Sequence, residues 1–288
     1  MKLDIKTSPI GAELTSIKLG EKEMLHQGDN VLDESGKAFW KRHAPILFPI
    51  VGSLKDNTAI IENEKYEMSQ HGFARDMTFD ILAISENKHE YVLKANEETL
   101  KKYPYNFELY ISYIINESTL TVEHRVVNKD ERLMYFGIGG HPAFCIDNKN
   151  NKYKVEFEKE EANIKFYQLE KGLISYKNDY INDSLLKDKK NILIKKDTFL
   201  HDAVIMNGIT SQKVKLFEND EEKLEFNFSG FKYLALWSKV NAPFICIEPW
   251  YTTADYVDSN QDFSKKKDNL KLNVGEEFKC KYSITFKQ

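Results

Sequence analysis

Apolar and polar residues alternate with a period of two along most of this chain. The pattern is clearest at the end, where Phe278, Cys280, Tyr282, Ile284 and Phe286 share one face and Lys279, Lys281, Ser283, Thr285 and Lys287 the other. Such spacing predicts a strand with one buried and one wet side. Leu120, Val122, His124 and Val126 against Thr121, Glu123 and Arg125 repeat it, as do Tyr153, Val155 and Phe157 against Lys152, Lys154 and Glu156. Sheets covered on one face are therefore expected. Asn116-Glu117-Ser118 and Asn219-Asp220-Glu221 stand between strand-like runs as hairpin punctuation, which joins successive strands antiparallel. Helical patterning is confined to Asn96 to Tyr103, closed by Pro104, and to Tyr180 to Lys187. There is no βαβ rhythm, fixed repeat or Pro/Gly/Ser linker, so a single all-β domain over residues 1–288 is expected, built as a large antiparallel β-sandwich with few short helices. The lysine-rich stretch Lys187 to Lys196 reads as a solvated loop.

Composition narrows the functional classes. A chain of 288 residues with 41% hydrophobic and 30% charged residues has the make-up of an ordinary water-soluble globule. Its 41 Lys and Arg are interspersed with 45 Asp and Glu, for a net charge of -4, and no basic stripe offers itself to nucleic acid or anionic lipid. A small neutral or mildly anionic ligand fits better. Met1 to Ile10 alternates charged and apolar residues, and no later apolar run approaches membrane-spanning length, so a cytoplasmic location without membrane association is expected. Cys145, Cys246 and Cys280 are far apart and odd in number, which suggests small core residues in place of a disulfide framework or zinc ribbon.

Three segments interrupt the strand pattern: Gln70-His71-Gly72-Phe73-Ala74-Arg75, Gly139-Gly140-His141-Pro142-Ala143-Phe144 and Ile247-Glu248-Pro249-Trp250. Each sets an ionisable group beside an aromatic ring. Rings such as Phe144 and Trp250 offer a sugar's apolar face a stacking surface, while Arg, His and carboxylates hydrogen-bond its hydroxyls. His141 and Glu248 each precede a proline, which biases their backbones toward extended geometry and stiffens the base of the side chain. Alternation along Ile245 to Trp250 places Cys246, Glu248 and Trp250 on one face. Plainer readings stand beside these: His141 or His71 as a turn residue, Arg75 paired with Asp76, Arg42 with Lys41 and His43 as a charged rim, His124 as a core or pocket-wall histidine. A metal site from His71, His141 and Glu248 lacks any supporting His-x-His or H-E-x-x-H spacing, and no metal is expected.

Taken in order, these segments resemble the aldose 1-epimerase (galactose mutarotase-like) family, and within it the LacX-like branch. The resemblance covers nearly the whole chain. It begins with Ile10-Gly11-Ala12-Glu13-Leu14-Thr15-Ser16-Ile17, similar to an opening strand, and runs through Arg42 to Gly52. It continues through His71-Gly72-Phe73-Ala74-Arg75, Gly140-His141-Pro142-Ala143-Phe144, Asp202 in His201-Asp202-Ala203-Val204, and Cys246-Ile247-Glu248-Pro249-Trp250. It implies a β-supersandwich, no obligatory cofactor, His141 as general acid, Glu248 as general base, and His71, Arg75 and Asp202 as sugar contacts. Family members often carry an arginine where this chain has Ser53, so that sugar contact is either absent here or supplied by Arg42 or Lys55. The implied reaction is interconversion of hexose anomers by ring opening and reclosure, in a monomer or homodimer. Two alternatives remain open: a hexose 6-phosphate substrate, for which Lys41, Arg42, Lys55 and Arg75 offer cations, and a sugar-binding or regulatory module without turnover. A glycosidase would need Asp202 or Asp255 as a second carboxylate.

Overall fold

Two large antiparallel sheets dominate the computed structural model, which describes residues 2–147, 151–176 and 185–287. The larger sheet has ten strands, in the spatial order Leu186–Lys187, Asn191–Ile194, Tyr153–Phe157, Lys213–Glu218, Glu221–Asn227, Glu277–Phe286, Thr119–Asn128, Phe107–Asn116, Lys88–Lys94 and Asp80–Ile84. The other has eight. Seven run in the order Leu173–Ser175, Lys165–Glu170, Val204–Asn207, Tyr233–Trp237, Phe244–Trp250, Gly139–Gly140 and Ile46–Leu47, and Ala143–Cys145 also pairs with Phe244–Trp250. The fold is the all-β, galactose mutarotase-like sandwich that the sequence resemblance implies.

Alternation explains how the two sheets meet. Leu120, Val122, Val126, Cys280, Tyr282, Ile284 and Phe286 from the ten-stranded sheet pack with Leu234, Leu236, Ile245 and Ile247 from the other, in one hydrophobic cluster that extends from Leu3 to Phe286. His124 lies inside this core, 1% exposed, edge-on to Tyr282, and burial pushes its imidazole down to about 4. The opposite face of Phe244–Trp250 is buried too, under smaller clusters that hold Leu47, Tyr233, Ala235 and Trp250, and Ala143, Phe244 and Cys246. That second buried face carries the candidate site residues Glu248 and Trp250. Both expected hairpins form, and at Asn219-Asp220 the backbone has φ of 48° and 71°, the left-handed pair required by the tightest two-residue turn.

Several local expectations change. Asn96 caps a helix only over Glu97–Leu100, sharing a capping box with Thr99; the chain then turns, and Tyr103 is buried with its hydroxyl donating to the Tyr135 carbonyl. Of the second helical stretch, residues 180–184 lie outside the described residues, and Leu186–Lys187 is a strand. Lys187 to Lys196 is not simply a loop, since Leu186–Lys187 and Asn191–Ile194 form the edge hairpin of the ten-stranded sheet. The opening strands are Leu3–Thr7 and Leu14–Leu19, and Ile10 to Glu13 is a turn. Cys246 and Cys280 are buried as expected, but Cys145, on the wet side of its strand, is exposed. Among the described residues no helix is long and apolar enough to cross a membrane.

A buried ion pair fixes the segment that follows Trp250. Lys266 Nζ lies 3.1 Å from Asp255 Oδ1, both side chains are 3% exposed, and Nζ also donates to the Thr253 carbonyl. Asp255 further accepts from the Lys55 backbone N–H and the Ser259 hydroxyl, tying this segment to the loop that follows Gly52. Lys266→Met strands a buried carboxylate, and denaturant titration is expected to show a loss of about 3–5 kcal/mol. A loss below about 1 kcal/mol would mean that water reaches the pair.

Candidate active site

The site starts from strand register. Gly139 pairs with Trp250 and Ala143 with Cys246, and the same antiparallel register carried between them leaves His141 opposite Glu248. Directly opposed residues on one face bring their side chains together. The imidazole Nε2 stands 3.2 Å from Glu248 Oε2, with both side chains buried. Pro142 and Pro249 lie within this stretch and contribute no N–H, so the regular ladder lapses where the two side chains meet. On the far side of Phe244–Trp250, Glu248 is opposed by Ala235 and Cys246 by Trp237. Small Ala143 and Ala235 leave room over this face, and the tryptophans wall it.

His71 approaches from another direction. Its backbone is left-handed at φ 66°, as is Gly72 at 74°, where a Cβ would lie 2.3 Å from the Phe48 carbonyl oxygen; no larger residue fits that bend. The imidazole Nδ1 accepts from the Gly52 N–H at 3.1 Å, and the His71 N–H donates to the Gly52 carbonyl at 2.8 Å. Because Nδ1 is an acceptor, the ring proton of neutral His71 sits on Nε2. The ring meets His141 edge-on at 5.5 Å and lies 6.2 Å from Trp250. Arg75 follows on a single 3-10 turn, Ala74–Asp76, with Nη2 donating to the Gln70 carbonyl. Arg42 donates to Asp76 Oδ1 at 2.7 Å, so one carboxylate holds the two guanidinium groups in one neighbourhood. The Glu13 carboxylate accepts from the His43 and Ala44 N–H groups and so fixes the loop that carries Arg42.

Burial governs the electrostatics. His141 is pushed down to about 3 by burial, with the Arg75 and Arg42 charges adding to the effect. Glu248 is pushed well above the usual carboxylate range by burial; Trp250 opposes this and the Asp202 charge reinforces it. His71 is held well below its ordinary value by burial, then by His141, Arg75 and Arg42. Arg75 falls to about 10, from burial and Arg42, and remains charged at neutral pH. Burial thus favours the neutral imidazole beside the protonated carboxyl, a pair 3.2 Å apart that shares one titratable proton. His141 Nδ1 and Arg75 Nε are buried without a hydrogen-bond partner in the protein, and the buried Glu248 oxygens and Trp250 Nε1, which act on each other, make no well-formed hydrogen bond. Such groups are rare in folded proteins and leave unused hydrogen-bonding capacity for water or a polar ligand.

His141, Glu248, His71, Arg75, Arg42 and Trp250 thus come together, and Asp202, exposed with φ 82°, is near enough to act on Glu248. Phe144 does not join them. Its strand position pairs with Ile245, so its ring points into the core between the sheets, against Phe226 and Phe286. Lys55 reaches the Ser259 carbonyl and Asp255 is held by Lys266, so neither is available to the site. Two residues escaped the sequence reading. Trp40 stacks on His141 at 4.8 Å, and Trp237 meets the same ring edge-on at 5.7 Å. The chain has three tryptophans, Trp40, Trp237 and Trp250, and all three flank the two histidines, so rarity was the available signal.

The aldose 1-epimerase family pattern matches residues 2–271, and the chain belongs to that family. Within it, the chain is 31% identical to the plasmid-encoded Protein LacX of Lactococcus lactis subsp. lactis over 98% of its own length and 96% of the relative's, and equally to the chromosomal form. Among solved structures it is similar to a galactose mutarotase related enzyme from Lactobacillus acidophilus, with a TM-score of 0.89, 28% identity, and coverage of 100% of this chain and 95% of that one. A galactose mutarotase-like protein from Lactobacillus casei gives 0.88 and 27%, over 99% and 97%.

The charge state of Glu248 has a consequence for stability. Its folded pKa lies above the unfolded value of 4.5, so between the two the unfolded chain has lost a proton that the folded one keeps, and stability falls as pH rises. Glu248→Gln removes this burden. It is expected to unfold at higher denaturant than the parent at pH 7, with the gain vanishing below about pH 4, where both states are protonated. A variant less stable at pH 7 would mean that the carboxylate is ionised and partnered.

Proposed function

We propose that the protein is an aldose 1-epimerase that interconverts the α and β anomers of a free hexose. The observation that carries this reading is the His141–Glu248 pair, 3.2 Å apart, buried, and holding a single proton beneath a rim of tryptophan and arginine. The ring oxygen and the anomeric hydroxyl of a pyranose are both bonded to C1, so two groups this close can touch both at once. Once the pair's proton has moved across from Glu248 to His141, the Glu248 carboxylate takes the proton from the C1 hydroxyl while His141 delivers its own to the ring oxygen. The bond between C1 and the ring oxygen breaks and an aldehyde forms. Rotation about the C1–C2 bond presents the other carbonyl face, and the same transfers in reverse close the ring as the other anomer. The reaction involves no change of oxidation state.

The surrounding groups have roles that suit a sugar. Trp40, Trp237 and Trp250 cover its apolar faces, the His71 Nε2–H and Arg75 Nε–H donate to its hydroxyls, Arg42 extends the donor set, and Asp202 accepts. A free hexose is favoured over a hexose 6-phosphate because Asp76 lies between Arg42 and Arg75 and Lys55 is directed away to the Ser259 carbonyl, so the four cations do not converge on one anion. A glycosidase reading lacks its second carboxylate, since Asp255 is committed to Lys266 and Asp202 is exposed.

Anomer exchange followed by NMR saturation transfer tests the assignment. His141→Asn and Glu248→Gln are each expected to lose about 10²–10⁴-fold in catalysed exchange while keeping the fold. Full activity in either variant excludes the roles given. Trp40→Ala is expected to raise KM about tenfold with a smaller change in kcat. Because activity requires one proton on the pair, kcat/KM should stay level down to about pH 4, falling only as His141 takes a second proton near 3, and should fall again on the alkaline side as Glu248 loses its own. An acid limb centred between about 6 and 7 would show a histidine titrating independently.

A further inference from the structure

Cys246 has no part in the chemistry described so far. It lies two residues before Glu248 on the same face of its strand, fully buried, with the small Ala143 opposite. Among the described residues, one ligand atom each from His141, Cys246 and Glu248 lie within 4.8 Å of one another. A tetrahedral ion with bonds of about 2.0–2.3 Å spaces its ligand atoms roughly 3.3–3.7 Å apart. The 3.2 Å between His141 Nε2 and Glu248 Oε2 is nearly one such edge already, and rotation of the short Cys246 side chain is the remaining adjustment.

We infer that His141, Cys246 and Glu248 form a binding site for a zinc-like divalent cation, and that the ion, once bound, shuts the site to sugar. Nitrogen, sulfur and oxygen donors in a set of three match zinc's preferences, and the fourth tetrahedral position is left to water. Both Glu248 oxygens are buried without a well-formed hydrogen bond in the protein, so ligation through them and through His141 Nε2 gives up only the contact between those two groups. Charge also favours the loaded state. On binding, the Cys246 thiol gives up its proton to solvent, as does Glu248 where it carries one, and the thiolate and carboxylate together cancel the two positive charges of the ion. The buried complex is neutral, which avoids the large cost of placing net charge in the interior. The ion then holds the electron pairs with which His141 and Glu248 would bind protons, so exchange stops. Binding itself stands apart from the epimerase reading, whereas inhibition rests on it.

The test uses the full-length protein, stripped with chelator and titrated with Cd²⁺ alone, and follows thiolate-to-metal charge-transfer absorption. One saturating equivalent is expected in the parent, in Cys145→Ser, which removes the exposed thiol, and in Cys280→Ala, which removes the thiol beside His124. In Cys246→Ala, and in the closer-sized Cys246→Ser, the band should disappear and affinity should fall at least about tenfold. No band in the parent, or an unchanged band in both Cys246 variants, overturns the site. In parallel, Zn²⁺ should suppress anomer exchange in the parent, while Cys246→Ala exchanges anomers without metal and needs at least about tenfold more Zn²⁺ for the same inhibition. Equal sensitivity of parent and variant also overturns the proposal. A saturating band in a protein that shows no catalysed exchange keeps the metal site and removes the epimerase reading.

Discussion

Everything at this site follows from one constraint: an imidazole and a carboxylate are directly opposed on a sheet that is buried on both faces. A strand such as Phe244–Trp250 usually alternates between core and solvent. Here Ile245 and Ile247 face the core between the sheets, while Cys246, Glu248 and Trp250 face a second layer built from the Trp40–Arg42 loop and the His71 turn. Glu248 is therefore taken out of water by the architecture, and its displaced pKa needs no special neighbour. With His141 at 3.2 Å and equally dry, the pair carries one proton, and moving that proton within the pair requires no exchange with bulk water.

The rest of the local structure keeps this arrangement from collapsing into an ordinary ladder. Pro142 and Pro249 remove two donors from the stretch where the side chains meet, and the glycine at 140 lets the Tyr282 ring press within 2.8 Å of where a Cβ would lie. His71 is locked to Gly52 in both directions, and Gly52 in turn packs against Ala254, in the segment held by the Asp255–Lys266 ion pair. A buried ion pair is a poor source of stability but a good way of fixing position. Here it connects the segment after Trp250 to the loop that positions a histidine. Unpartnered polar atoms on Glu248, His141, Arg75 and Trp250 are the destabilising counterpart of this ordering, and they are concentrated where a polar ligand can satisfy them.

Much of this was legible in the sequence. Alternation gave the antiparallel sheets, the hairpins at Glu117-Ser118 and Asn219-Asp220, and the shared face of Cys246, Glu248 and Trp250, because side-chain direction along a strand is a local property of period two. The prolines after His141 and Glu248 marked both as stiffened, and the ordered motifs identified the family. Tertiary structure alone decided which residues meet. That His141 stands opposite Glu248 depends on a register between strands about a hundred positions apart, which no local pattern encodes. Phe144 was misplaced for the same reason: proximity to His141 in the chain does not say that the strand has already turned its ring to the other side. Trp40 and Trp237 were missed because stacking on an imidazole leaves no periodic trace. Burial, finally, pushes His141 and Glu248 toward their uncharged forms, since the cost of keeping a charge is set by what packs around it and not by its neighbours in sequence.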